Sequence, residues 1–321
     1  MPTTWTNRHG IPDALVRAIV SRHKRSLGRL SVTQLIEPPR IRRLLEQCDV
    51  ERDVSEQLWA LLGSGVHAVL DDGSNEAEVE IAARVNGPGI QGDGCWISGT
   101  FDRIETEHGV IIRDWKVTSV STWKAGGRDE WTRQLNCYAW LLRNATLRRV
   151  DVSTLDPHVP QEPTALLVTM IFRDWNGARA EAAIKAGDDS YPHAAAQTIE
   201  IPLFSNEVSD AYIRERVAIH LSANDVRMPN LPPMCTDEER WHRPPVFAVM
   251  REKRKRALRL FDRRDEAVAF AELQNVGGLR IDERPGVDAR CLSYCPARTV
   301  CPHGIAVDAA MSPAAESEAE A

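Results

Sequence analysis

Asp102, Asp114 and Lys116 are the residues of this sequence with the clearest capacity for chemistry. Trp96–Ile104 alternates as a half-buried strand does, and Val110–Val117 returns after a short Glu-Thr-Glu-His-Gly turn. The two carboxylates therefore fall on neighbouring strands of one hairpin. Residues two apart in a strand share a face, so Asp114 and Lys116 point the same way. Flanking Val110, Ile111, Ile112 and Val117 set them deep in a sheet, where an acid and a base need partners. Two facing carboxylates repel unless a cation lies between them, and Mg²⁺ or Mn²⁺ with oxygen ligands meets that demand. A cross-strand Asp–Lys salt bridge on a solvent face accounts for the same three residues.

His67 and the pair Gln134 and Tyr138 extend the pattern. The order along the chain is Gly63-x-x-x-His67, Gly99-x-x-Asp102, Asp114-x-Lys116 and Gln134-x-x-x-Tyr138. Gln134 and Tyr138 are spaced to share one helix face. Each motif alone has an ordinary reading: a solvated histidine, or a core tyrosine beside a surface glutamine.

Four such motifs in order resemble the PD-(D/E)XK nuclease superfamily, and within it the RecB-like branch, over roughly residues 60–175. Asp114 stands where many relatives carry Glu. The resemblance implies an α/β, restriction-endonuclease-like core of helix, three strands, helix and strand. It also implies metal-dependent hydrolysis of phosphodiester bonds in DNA, by an exonuclease serving phage or mobile-element recombination or repair. On that reading His67, Asp102 and Asp114 hold one or two Mg²⁺ or Mn²⁺ ions, helped by the carbonyl of Trp115. Lys116 orients the attacking water or stabilises developing charge. Gln134 and Tyr138 contact the strand or hold the surroundings of the lysine. Glu80 reads as a solvent-face strand residue, with a place near the metals as the alternative.

Seven cysteines, an odd number, argue against a disulfide framework in a chain expected to be cytoplasmic. Cys291, Cys295 and Cys301 crowd together with Pro296 and Pro302 beside them, as ligands on an irregular loop do. Members of the RecB-like branch carry a four-cysteine iron–sulfur cluster with three ligands after the nuclease core and one far upstream. The resemblance implies a [4Fe–4S] cluster here, with Zn²⁺ as the second choice. Cys235, in an irregular Pro-Pro-Met-Cys-Thr-Asp segment, is the preferred fourth ligand; Cys48 and His303 are the other options. Cys95 and Cys137 read as core residues.

The elements that must position these groups follow from periodicity and punctuation. Helices are expected over 12–30, 40–48, from Asp53 or Ser55 through Val69, over 131–143 and over 205–223. Strands are expected at 79–85, 96–104, 110–117, 164–172 and 198–203, with Asn86–Gly94 as a Gly-rich turn. Past a Pro-rich linker at Met228–Pro233 come strands near 246–250, 257–261 and 278–283 and a helix near 264–274. The expected division is an N-terminal helical segment (1–50), the nuclease core (51–224), a small α/β cysteine segment (225–308) and a disordered tail (309–321).

Composition bounds the partners. Forty Lys and Arg against 46 Asp and Glu leave a net charge of −6, which excludes an indiscriminate nucleic-acid binder without excluding a nucleic-acid enzyme. Basic residues cluster in the first two helices and in Arg251–Arg256 with Arg259, Arg263 and Arg264. Such runs are either solvated surface or phosphate-contacting surface. No apolar run reaches about 18 residues and no leader-like segment opens the chain, so neither membrane insertion nor secretion is expected. The sequence has no Walker A pattern, so unwinding would need a helicase or recombination partner. Two other classes compete: a non-catalytic nucleic-acid-binding module, and a protein whose function is its iron–sulfur cluster.

Overall fold

The computed structural model describes residues 3–21, 29–71, 77–88, 90–149, 155–224, 230–274 and 276–311. The chain forms two compact units, one of Thr4–Pro39 and Glu51–Asn230, the other of Met1–Thr3, Arg40–Val50 and Leu231–Ala321.

The first unit is built on an eight-stranded sheet. Helix Leu58–Leu70 (α1) leads into an antiparallel meander of Ala77–Gly87 (β1), Ile90–Glu105 (β2) and Ile111–Thr118 (β3). Helix Asp129–Asn144 (α2) then crosses over to Ala165–Phe172 (β4), which lies parallel to β3. Ala196–Ile201 (β5) adds antiparallel at the edge. This is the helix, three strands, helix, strand order of a restriction-endonuclease-like fold.

Burial explains the arrangement. β1 buries the consecutive run Ile81, Ala82 and Ala83, so both of its faces are covered, while β4 alternates, burying Leu166, Val168, Met170 and Phe172. Helix α2 buries Trp131, Leu135, Cys137, Tyr138 and Trp140–Leu142, which makes it the centre of the core. Cys95 and Cys137 are core residues, and burial pushes the Cys137 thiol up to about 12.

Several boundaries differ from expectation. The first helix covers only Asp13–Val20; residues 22–28, with Arg22, Lys24 and Arg25, lie outside the described residues. Asn86–Gly94 is not a long turn. The strands pair through Gly87 and Ile90, and a register shift between Val85 and Gly87 absorbs the glycines, Gly94 taking a positive φ of 80°. Helix Val32–Ile36, not expected from sequence, starts at a capping box: Gln34 N–H donates to Ser31 Oγ (3.2 Å) and Ser31 N–H to Gln34 Oε1 (3.0 Å). Its exit is held by helix Asn206–Asn224 (α3), whose Arg216 donates to the carbonyls of Leu35 (3.0 Å) and Glu37 (2.5 Å).

In the second unit, strands Arg259–Phe261, Val246–Arg251 and Leu279–Arg284 form a small antiparallel sheet with helix Arg264–Leu273 against it. The cysteine segment is more helical than expected: Cys291 sits in helix Ala289–Ser293 and Cys301 caps helix Pro302–Ala310. Pro302 supplies the pre-set first turn that its ring favours. The arginines of the second basic helix are engaged internally: Arg42 and Arg43 pair with Glu46, and Arg40 donates to the Pro232 carbonyl. Residues 251–256 lie at a strand end and the turn after it, and all are exposed. Residues 312–321 of the expected tail, and Met228 and Pro229 of the linker, lie outside the described residues. Among the described residues no helix is long and apolar enough to cross a membrane.

At Gly99, beside the motif residues, close packing dictates residue type. A Cβ there would meet Cε1 and Cδ1 of Tyr138 at 2.6 and 2.8 Å. The ring cannot retreat easily, because it stacks on Phe101 with centroids 4.7 Å apart. Gly99→Ala is expected to cost about 1–3 kcal/mol in urea unfolding; an unchanged unfolding midpoint would show that the ring yields freely.

Candidate active site

The four motif groups meet in one cleft of the first unit, with a volume of about 750 Å³. Helix α1 brings His67, β2 brings Asp102, β3 brings Asp114 and Lys116, and α2 brings Gln134 and Tyr138. Ser31–Gln34 form part of the wall.

The polar contacts form two linked sets. His67 Nδ1 lies 3.1 Å from Asp102 Oδ1, while Asp102 Oδ2 accepts the Trp115 N–H at 2.8 Å. Lys116 Nζ lies 2.7 Å from Asp114 Oδ2 and donates to Gln134 Oε1 at 3.1 Å. Gln134 Nε2 in turn donates to the Tyr138 hydroxyl at 2.9 Å. The i, i+4 spacing on α2 thus becomes a relay that fixes the lysine head from one side while Asp114 holds it from the other.

Electrostatics follow from burial and charge. Asp114 is 1% exposed; burial pushes its carboxyl up to about 6, Lys116 pulls it back and Asp102 raises it again. His67 is raised, first by its hydrogen bond to Asp102, against the opposing effect of burial. Burial also raises the Tyr138 hydroxyl.

Two acids differ from the sequence reading. Glu80 is not a solvent-face residue. It is buried, accepts the Ser98 hydroxyl at 2.9 Å and lies 3.4 Å from Arg149, because β1 is covered on both faces. Glu78, which sequence reasoning passed over, joins His67 and Asp102 in a group whose ligand atoms all lie within 4.8 Å of one another. Its signal was absent because it precedes the strand-like run, and only strand pairing reveals what it faces. Imidazole and carboxylate donors at this spacing suit a hard divalent cation. Asp114 is outside that trio, its Oδ2 being turned to Lys116.

The second unit gathers four cysteines. Cys235, Cys291, Cys295 and Cys301 line one small cavity, and all seven cysteines of the chain are free thiols. Burial pushes the Cys235 thiol up to about 12 and Cys291 up to about 11, with the neighbouring sulfurs adding to each shift. Cys48 does not line the cavity, although it packs on the apolar cluster of Ile41, Leu44 and Ala297, as Cys235, Cys295 and Cys301 also do. His303 lines the cavity too, but its Nε2 lies 2.6 Å from Asp288 Oδ2. His303, Asp288 and Cys291 themselves form a compact group of potential ligands. Four thiols lining one cavity supply the donor type of a thiolate-bound metal centre.

The Asp114 shift has a measurable sign. Its folded-state value, about 6, exceeds the 3.8 of an ordinary aspartate, so the folded protein holds the proton more tightly. Its stabilising contribution is full below about pH 4 and is lost as pH rises through about 6. In EDTA, wild type should therefore lose stability relative to Asp114→Asn across that window in thermal melts; a pH-independent difference would contradict the shift.

No curated protein matches the chain. The crystal structure of SSO0001 is similar at 19% identity, with a TM-score of 0.38, covering 63% of this chain and 82% of that one. A family model described as the PD-(D/E)XK nuclease superfamily matches residues 35–302. With that match spanning most of its length, the chain belongs to the PD-(D/E)XK nuclease superfamily.

Proposed function

We propose that this protein is a metal-dependent nuclease that hydrolyses phosphodiester bonds of DNA, acting as an exonuclease in recombination or repair of the phage or mobile-element type. The observation that carries the reading is the convergence of His67, Asp102, Asp114 and Lys116 on one cleft of the superfamily's fold. The exonuclease assignment rests on the likeness of the His67 and Gln134–Tyr138 motifs to the RecB-like branch.

When bound, Mg²⁺ or Mn²⁺ supplies Lewis acidity and positive charge to the scissile phosphate and the attacking water. His67, Asp102 and Asp114 are the residues that would hold it. The Trp115 N–H fixes one oxygen of the Asp102 carboxylate, leaving the other beside His67 Nδ1 at 3.1 Å. Lys116 is presented to the cleft by Asp114 and Gln134, so its charge is placed in advance to stabilise negative charge on the phosphoryl oxygens. Tyr138 acts at one remove, by fixing Gln134.

In the second unit Cys235, Cys291, Cys295 and Cys301 are the proposed ligands of a [4Fe–4S] cluster, with Zn²⁺ as the alternative occupant. Thiolate bonds would hold a segment whose own apolar residues, Leu292, Val300 and Ile305, are too few to build a core. A partner protein would supply unwinding.

The test is a time course on end-labelled linear and circular DNA, single- and double-stranded, with Mg²⁺, Mn²⁺ or EDTA. Asp102→Ala, Asp114→Ala and Lys116→Ala, each shown folded by circular dichroism, should lose on the order of 100-fold or more of the cleavage rate. A folded Asp114→Ala protein cleaving at the wild-type rate would end the assignment. For the cysteine centre, anaerobically purified protein should contain iron and sulfide, and Cys235→Ser should reduce both. Colourless protein with stoichiometric zinc would replace the cluster but keep the ligands.

A further inference from the structure

The pairing of β1 with β2 sets Ala77 against Arg103 and Val79 against Phe101, so Glu78 and Asp102 fall level with each other between these two pairs. Like charges directly opposed across antiparallel strands are destabilising. Glu78 also has a φ of +51°, a left-handed conformation inside a strand. A glutamate does not adopt that conformation without cost, and such costs persist where the surroundings over-determine them. Two unfavourable features thus coincide at one residue, and together they turn a third acid toward the cleft. The Glu78 Oε1 atom lies 4.0 Å from His67 Nδ1, the nitrogen that Asp102 Oδ1 approaches from 3.1 Å. The side chain is 25% exposed and lines the cleft wall, so it is reachable by an ion from solvent.

We infer that Glu78 is a further ligand for the divalent cation of this cleft, acting with His67 and Asp102. The inference rests on the metal-dependent reading above and adds to it a carboxylate that none of the four sequence motifs contains. A bound cation converts the Glu78–Asp102 opposition from repulsion into shared coordination, which is what the left-handed residue is kept for.

Two variants separate ligation from a structural role. Glu78→Gln keeps the size and the backbone conformation but removes the charge. Glu78→Gly removes the ligand and relieves the left-handed φ. Mn²⁺ binding to the full chain is followed by electron paramagnetic resonance of the free ion and by calorimetry, with Asp102→Asn as the control for the site. Glu78→Gln should bind Mn²⁺ on the order of 10- to 100-fold more weakly than wild type. Glu78→Gly should melt at or above the wild-type temperature in EDTA, yet show a smaller upward shift on adding Mn²⁺. If Asp102→Asn loses Mn²⁺ while Glu78→Gln keeps wild-type affinity, the Glu78 inference is overturned and the metal site stands. If wild type itself binds no Mn²⁺, both fall. If Glu78→Gly melts well below wild type in EDTA and Glu78→Gln keeps its affinity, Glu78 is structural.

Discussion

The first unit depends on a carboxylate buried in the wall of the cleft. Asp114 sits on β3 with a neighbour strand on each side and α2 over it, and a charge there is tolerable only with a cation beside it. Lys116 supplies that charge from the same strand face, and the requirement propagates outward. The lysine needs Gln134, and Gln134 needs Tyr138. Tyr138 in turn needs a strand without a side chain at position 99. One buried acid thus explains why a glycine of β2 and an amide and a phenol of α2 stand in register.

Much of this was legible in the sequence, because its signals are local. The hairpin shows in its alternation and its turn, and the common face of Asp114 and Lys116 follows from a two-residue period. The facing of Gln134 and Tyr138 follows in the same way from a helical one. Cys235 could be singled out because prolines and a polar run surround it. What sequence concealed depends on contacts distant in the chain. Glu80 looks solvent-facing until β1 is seen to be an interior strand with Arg149 beside it. The opposition of Glu78 and Asp102 exists only once a register is chosen. Helix Val32–Ile36 is too short to show periodicity, and its exit is secured by residues of α3.

The two units solve the problem of holding structure in different ways. The first has a continuous apolar core running from Leu30 to Val217. Among the described residues, the fully enclosed centre near the cysteines is Ile41, Leu44 and Ala297, with Leu45, Leu231 and Val300 packed against it. A segment with so little apolar packing of its own needs cross-links of another kind. The Asp288 carboxylate provides one: burial alone would raise it, but hydrogen bonds from His242 and His303, with Arg240 beside it, hold it below its usual range. The sulfur cavity lies next to this polar knot, so charge and thiols take over the role that hydrocarbon plays in the first unit.

The hold of α3 on helix Val32–Ile36 has a consequence for synthesis. Arg216 and His220 reach the Leu35 carbonyl across 181 and 185 residues of chain. Ser31–Gln34, which wall the cleft, are therefore secured by residues made long after the acids and the lysine. On a ribosome adding about 5–20 residues per second, about 100 residues separate Lys116 from Arg216, a delay of about 5–20 seconds. Through that interval the nascent chain carries every acidic and basic group of the cleft without the clamp that completes its wall. The wall at Ser31–Gln34 thus waits on contacts from α3, which is made after the strands that bear the charges of the cleft.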